Sequence, residues 1–305
     1  MSAPRPTPAG DWAREPERSS MPVLRLMVWL SLTLGRRLSR AVLYPIAAYF
    51  VLFAPRARRA SKDYLRRVLG RPARVADGFR HVLSFASVVH DRVYWLRGRF
   101  ELFDVQLRGE EHLAALRAEQ RGIVFVGGHF GSFEALRVLG DQHGIDARML
   151  MFPDNARMVT AALAAINPAL TDSVIALGRP DSVIRVQQHL AQGGCVGILA
   201  DRTLGAERQR ALPFLGDPAP FPLGPFRLAA MLGAPVVFMA GAYLGANRYQ
   251  LVFEPVVDFA TVPVEERRRA IEAAQARYVA LLEAQCRATP WNWFNFYDFW
   301  NVPPT

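Results

Sequence analysis

From about residue 103 onward, short β-type apolar runs alternate with helical segments, and no other feature of the chain restricts its fold as much. Runs at 103–107, 123–126, 148–152, 174–177, 196–200, 236–242 and 249–254 read as strands, bounded by glycine or polar residues. Helices fit between them at 110–118, 133–143, 156–165, 182–192 and 224–232, and a last helix at 265–287 closes the chain. This alternation predicts an α/β domain with a largely parallel central sheet covered by helices. Upstream, Phe79, Val82, Phe85, Ala86, Val89, Val93 and Leu96 recur at helical spacing, which predicts a packed helix over 75–96. No internal repeat appears, and no break in composition after about residue 100 divides the rest of the chain.

The amino-terminal part has a different texture. Residues 1–20, rich in Pro, Arg, Glu and Ser, show neither a helical period nor a secretory apolar core, and read as a disordered start. Two apolar runs follow, 21–34 and 41–54, broken by Gly35-Arg36-Arg37-Leu38-Ser39-Arg40. Each would measure roughly 21 Å as helix, short of the ~30 Å hydrocarbon core of a bilayer. A shallow or re-entrant anchor, one tilted span, and two core helices of a soluble protein all remain open. The arginines of the break can snorkel, and Trp29, Tyr44 and Tyr49 suit a membrane interface. Behind them Arg56, Arg58, Arg59, Lys62, Arg66 and Arg67 form a cationic helix face suited to an anionic cytoplasmic leaflet. Residues 21–70 are therefore read as a membrane-anchoring helical region whose removal through residue 55 should release a soluble body.

Charge narrows the partners without choosing one. Basic residues outnumber acidic by 37 to 27, for a net charge of +10, and Lys62 is the only lysine. Such an excess attracts phosphates on nucleic acid, anionic lipid or a phosphopantetheine carrier. The densest aromatic run, residues 291–300, contains no Arg or Lys, which argues against nucleic acid as the partner. That run would line an acyl groove, lie at the bilayer interface, or simply pack over the core. The two cysteines, Cys195 and Cys286, leave no disulfide framework or Cys-rich zinc site, and a reducing compartment fits.

The chemistry concentrates in Gly127-Gly128-His129-Phe130-Gly131-Ser132-Phe133-Glu134, directly after the run at 123–126. A strand ending in glycines before a helix start is where open α/β sheets place their ligands. His129 falls in the turn, Ser132 suits the helix N-cap, and Glu134 falls in the first turn, where its carboxylate can fold back to orient the imidazole. Gly128 lets a substrate approach the backbone. A second glycine-flanked strand, Gly193-Gly194-Cys195-Val196-Gly197-Ile198-Leu199-Ala200, ends in Asp201-Arg202. An apolar loop then carries Leu212-Pro213-Phe214-Leu215-Gly216 and Pro220-Phe221-Pro222-Leu223-Gly224-Pro225-Phe226 into a helix. Neither a P-loop nor a G-x-G-x-x-G fingerprint occurs, so no nucleotide cofactor is implied; Ser132 lies outside a G-x-S-x-G elbow, and the remaining histidines show no metal-ligand spacing.

This ordered set, H-x4-E, the Gly-Ile-Leu-Ala-Asp-Arg strand end and the Phe-Leu-Gly to Phe-Pro-Leu-Gly-Pro-Phe loop, resembles the bacterial lipid A biosynthesis (late) acyltransferases of the glycerolipid acyltransferase superfamily. The resemblance covers most of the chain and makes residues 71–305 an acyltransferase domain. It implies His129 as general base, Glu134 as its orienting partner, and Asp201 with Arg202 as accessory site residues. Related enzymes use an arginine between the two blocks, for which Arg157 and Arg179 are the candidates. The ending Trp291-Asn292-Trp293-Phe294-Asn295-Phe296-Tyr297-Asp298-Phe299-Trp300 is closer to acyltransferases that accompany aryl-polyene-type lipid clusters. The expectation is a cofactor-independent O-acyltransferase on the cytoplasmic side of the inner membrane, using an acyl-carrier-protein or coenzyme A thioester and a lipid or glycolipid hydroxyl. A non-catalytic membrane-bound lipid-binding protein is the alternative.

Overall fold

The computed structural model describes residues 21–136, 145–151, 166–168, 173–178, 181–202 and 208–300, the first seven of these by backbone alone. The strands are β1 (Asp104–Arg108), β2 (Ile123–Gly127), β3 (Ala147–Met151), β4 (Val174–Ala176), β5 (Cys195–Leu199), β6 (Gln209–Phe214), β7 (Asp217–Pro222), β8 (Pro235–Gly245) and β9 (Arg248–Asp258). Seven of them form one sheet in the order β1-β9-β8-β2-β5-β3-β4. Every neighbouring pair in it is parallel except the β8–β9 hairpin. The expected α/β architecture with a largely parallel sheet is therefore present. Its centre is β2, all of whose residues are buried. Alternation sends Val124 and Val126 into one hydrophobic cluster and Ile123 and Phe125 into the other, so a continuous apolar run is what a strand covered on both faces requires.

The helices are α1 (Met21–Ser39), α2 (Leu43–Phe53), α3 (Pro55–Leu69), α4 (Val75–Leu96), α5 (Glu110–Ala118), α6 (Ser182–Ala191), α7 (Gly224–Leu232) and α8 (Arg267–Ala288). Of the helix expected at 133–143, the described residues hold one 3-10 turn, Glu134–Leu136, and the helix expected at 156–165 lies outside them. The segment read as an apolar loop before α7 is instead the two-stranded β6–β7 hairpin. Pro213, Pro218, Pro220 and Pro222 all fall in pairs of the same class, Pro213 opposite Pro218, Pro220 opposite Ala211 and Pro222 opposite Gln209. Counting from the two-residue turn, these are the pairs without ladder bonds, where a missing N–H costs nothing. Leu215 and Gly216 both take positive φ in that turn.

The amino-terminal helices are built into the body. α1 bends at Gly35 (φ 72°, ψ 165°), and the helical stretch Val28–Phe53 meets α3 at 95°. Val28, Ser31, Leu43 and Ala47 are buried, and α1 and α2 lie on α4, while Trp29, Leu38, Tyr44, Tyr49, Leu52 and Phe53 are exposed. No single described helix is long and apolar enough to cross a membrane. Two arginines of the break do not snorkel as expected. Arg36 grips the fully buried Asp91 of α4 with two bonds of 2.8 and 2.7 Å, and Arg40 reaches the same carboxylate at 3.7 Å and the Tyr243 hydroxyl at 2.6 Å. A carboxylate withdrawn from water holds the nearest cations inward. At the other end, residues after α8 return across the sheet, and Trp293, Phe294 and Phe299 are buried, so the aromatic run packs over the core.

Candidate active site

Two adjacent parallel strands deliver the site. β2 and β5 are in register with Gly127 opposite Leu199, and the Ala200 N–H donates to the Gly127 carbonyl at 2.8 Å. His129 and Asp201 therefore leave the sheet side by side, each two residues past that last pair. The His129 main-chain N–H donates to Asp201 Oδ2 at 2.8 Å, and ring Nδ1 lies 2.8 Å from Oδ1. Trp293 Nε1–H donates to Oδ2 at 2.9 Å. Gly128 is needed here, because a Cβ would stand 3.1 Å from Asp201 Oδ2 and 3.3 Å from Leu282 Cδ1.

These partners fix the protonation state. The main-chain and indole N–H groups can only donate, so the carboxylate is an acceptor and Nδ1 carries the ring proton. Burial alone would raise the Asp201 carboxyl, but the charge and hydrogen bond of His129, with Arg202 adding to them, hold it down to about 2. His129 is itself pulled below its ordinary value, first by burial and then by the Arg202 charge, with Asp201 opposing and Arg92 adding. The ring is thus a neutral imidazole at neutral pH, with its basic lone pair on Nε2. That nitrogen has no bonding partner among the described residues, and the side chain is 31 % exposed. The site presents an oriented base to a ligand.

The turn itself is pinned. Phe130 N–H donates to Gly128 O, Gly131 N–H to Asn292 O at 2.8 Å and Ser132 N–H to Gly241 O at 2.8 Å. Phe294 N–H donates to His129 O at 2.7 Å. Gly131 takes φ 57°, and a Cβ on it would overlap the Gly241 carbonyl. The main-chain N–H groups of 129–132 are all committed, so this turn offers none to a developing oxyanion.

Glu134 makes no bond to His129 among the described residues. Its Oε1 pairs with Arg92 Nε of α4 at 2.6 Å, and the Ser132 hydroxyl donates to Oε2 at 3.4 Å. The turn carries Glu134 to the α4 side of the loop, while the neighbouring strand brings a carboxylate directly to the ring. Ser132 is fully buried, and its Oγ accepts the Ala135 N–H at 3.2 Å, which makes it the expected cap rather than a ligand contact. Arg202 lies beside the dyad, donating to Phe294 O at 3.0 Å with its guanidinium 5.2 Å from the Tyr297 ring centre. Arg157 and Arg179 lie outside the described residues. Sequence reasoning did not single out Arg92 or Trp293 as site residues; only the fold joins positions so far apart.

Residues 21–301 match the model of the bacterial lipid A biosynthesis acyltransferases. The chain belongs to that family. No curated protein is similar enough to count as a relative. As a member of the family it is an acyltransferase acting on lipid, and the described core, from α1 to the segment after α8, lies within the match. In this acyltransferase the H-x4-E block is present, but the carboxylate bonded to its histidine is Asp201.

Proposed function

We propose that the protein transfers a fatty acyl chain from an acyl-carrier-protein or coenzyme A thioester to a hydroxyl of a lipid or glycolipid, with His129 as general base and Asp201 as its orienting partner. The observation that carries the reading is the partly exposed His129 ring, held by a buried carboxylate at the ends of adjacent parallel strands, in a chain of this family. Nε2 removes the proton from the acceptor hydroxyl as its oxygen attacks the thioester carbonyl. The imidazolium so formed is stabilised by Asp201 across the Nδ1 bond. Collapse of the tetrahedral intermediate breaks the C–S bond, and the departing thiolate takes the proton back from Nε2. The Arg202 charge, felt at the ring, favours the oxyanion that the turn's committed N–H groups leave unserved. The test is incubation of the purified chain with labelled acyl thioester and extracted bacterial membrane lipid; label must move to an extractable lipid ester.

The same reading places the protein on the cytoplasmic face of the inner membrane, where thioester donors are made. Supporting it are the exposed aromatic and aliphatic residues of α1 and α2 and the exposed Arg56, Arg58, Arg59, Lys62 and Arg66 of α3 beside them. The chain should float with vesicles containing anionic lipid and lose much of that binding at high salt. Vesicle binding independent of both lipid charge and salt would remove the role given to α3.

A further inference from the structure

Arg92 lies in contact with the catalytic loop but outside the H-x4-E and Asp-Arg blocks. It stands on the exposed edge of α4, its side chain 44 % exposed, and its one bond among the described residues goes to a Glu134 carboxylate that is only 8 % exposed. We propose that Arg92 is a positioning residue of the acyl-transfer site, which holds the Glu134 carboxylate on α4 and so leaves the His129 imidazole to Asp201 alone. The proposal rests on the reading of His129 as the base.

The loop carries a second buried carboxylate besides the one bonded to the ring. Glu134 follows His129 by five residues in a turn so tight that Phe130, Gly131 and Ser132 all bond locally or across the sheet. An unpaired Glu134 carboxylate, nearly excluded from water, would keep only the long Ser132 hydroxyl bond and would leave a bare negative charge on the loop that carries His129. A 2.6 Å charge-assisted bond to Arg92 satisfies it elsewhere. The same helix supplies a fixed base for that grip, because the preceding residue, Asp91, is tied to Arg36, Tyr249 and His90. The charged and titratable groups around the ring are Asp201 and Arg202 after β5, Arg92 on α4, Glu134 on the loop itself and Tyr297 in the closing segment. Removing Arg92 takes away a cation and uncovers an anion, and both changes favour the imidazolium.

The experiment follows the His129 ring by NMR titration in the full chain labelled at histidine, alongside the pH dependence of kcat/KM for transfer from an acyl-coenzyme A. Arg92→Gln should raise the ring pKa by roughly one unit. The acid limb of the rate profile should move up with it, while Arg92→Lys, which keeps the charge, should stay near wild type. Glu134→Gln should move the ring pKa the other way, and in that background Arg92→Gln should have much less effect. A folded Arg92→Gln protein with an unmoved His129 titration would overturn the proposal, as would an Arg92→Lys protein that shifts as far as Arg92→Gln. Where Arg92→Gln fails to fold, Glu134→Gln decides: an unmoved ring pKa in that variant overturns the idea. Absence of transfer in every form, with the titrations shifting as stated, would instead sink the proposed reaction and leave the role of Arg92 intact.

Discussion

The two oxygens of the Asp201 carboxylate hold two different parts of His129, Oδ1 the ring and Oδ2 the main chain, both at 2.8 Å. One buried side chain thereby fixes the backbone, the ring plane and the tautomer of the proposed base.

Asp201→Asn tests that grip with almost no change of volume. An amide offers one acceptor where the carboxylate offered two, so its NH2 must face either Nδ1–H or the two donors at Oδ2. The ring is then freed or driven to the wrong tautomer, and acyl transfer should fall by about 10²–10⁴-fold while the fold survives. Initial rates and thermal melts of the pure variant check this.

Trp293→Phe removes the third donor to Asp201 and leaves an aromatic ring in the same packed space. A charge-assisted hydrogen bond to a buried carboxylate contributes about 1.5–3 kcal/mol. With one donor fewer, the Asp201 carboxylate keeps more of its charge for the imidazolium, so the His129 ring should protonate more easily and activity should be lost at a higher pH on acidification than in the wild type. A pH–rate profile reads the displacement.

The strands were legible because buried parallel strands must be short apolar runs, and His129 and Asp201 stood at their ends. What no local pattern carries is the order of strands in the sheet. Without knowing that β2 lies beside β5, Glu134, five residues from His129, looks nearer than Asp201, 72 residues away. The β6–β7 hairpin was hidden by its prolines, which read as breakers unless their shared pairing class is known. Arg36 and Arg40 looked like membrane-facing cations because Asp91, which turns them inward, lies 55 residues from Arg36 on another helix.

That inward turn revises what truncation should do. Asp91 is fully buried, and burial would raise its carboxyl, yet His90, Arg36 and Tyr249 together hold it below the usual range. Arg36→Met should cost about 3–5 kcal/mol, the usual loss when one partner of a buried ion pair is removed. Deleting residues 1–55 removes Arg36 and Arg40 together and uncovers the α4 face they cover. The truncated chain should aggregate or melt far below the full chain, instead of appearing as a stable soluble body. Size-exclusion profiles and melting curves decide.

His81 predicts an acid-sensitive fold. It is fully buried, its ring bonded by the Ser61 hydroxyl at 2.8 Å and to the Trp293 carbonyl at 2.8 Å. Burial pulls its pKa from 6.5 to about 4, with the carbonyl bond opposing. Between those values the unfolded chain takes up a proton that the native chain refuses. Stability is therefore fully present above about pH 6.5 and falls on acidification toward pH 4, by roughly 3 kcal/mol at most from this residue. His81→Gln should flatten the change in unfolding free energy between pH 7 and pH 5, measured by urea titration.

The central claim is that His129 is the base, and the most direct measurement is the initial rate of labelled acyl transfer from thioester to lipid by folded His129→Ala protein. The account predicts a loss of about 10²–10⁴-fold in protein that still folds, with a lowered melting temperature because the buried Asp201 carboxylate keeps its main-chain and indole donors but loses the ring. Asp201→Asn added to His129→Ala should then lower the rate little further. Near wild-type transfer by a well-folded His129→Ala protein would contradict it.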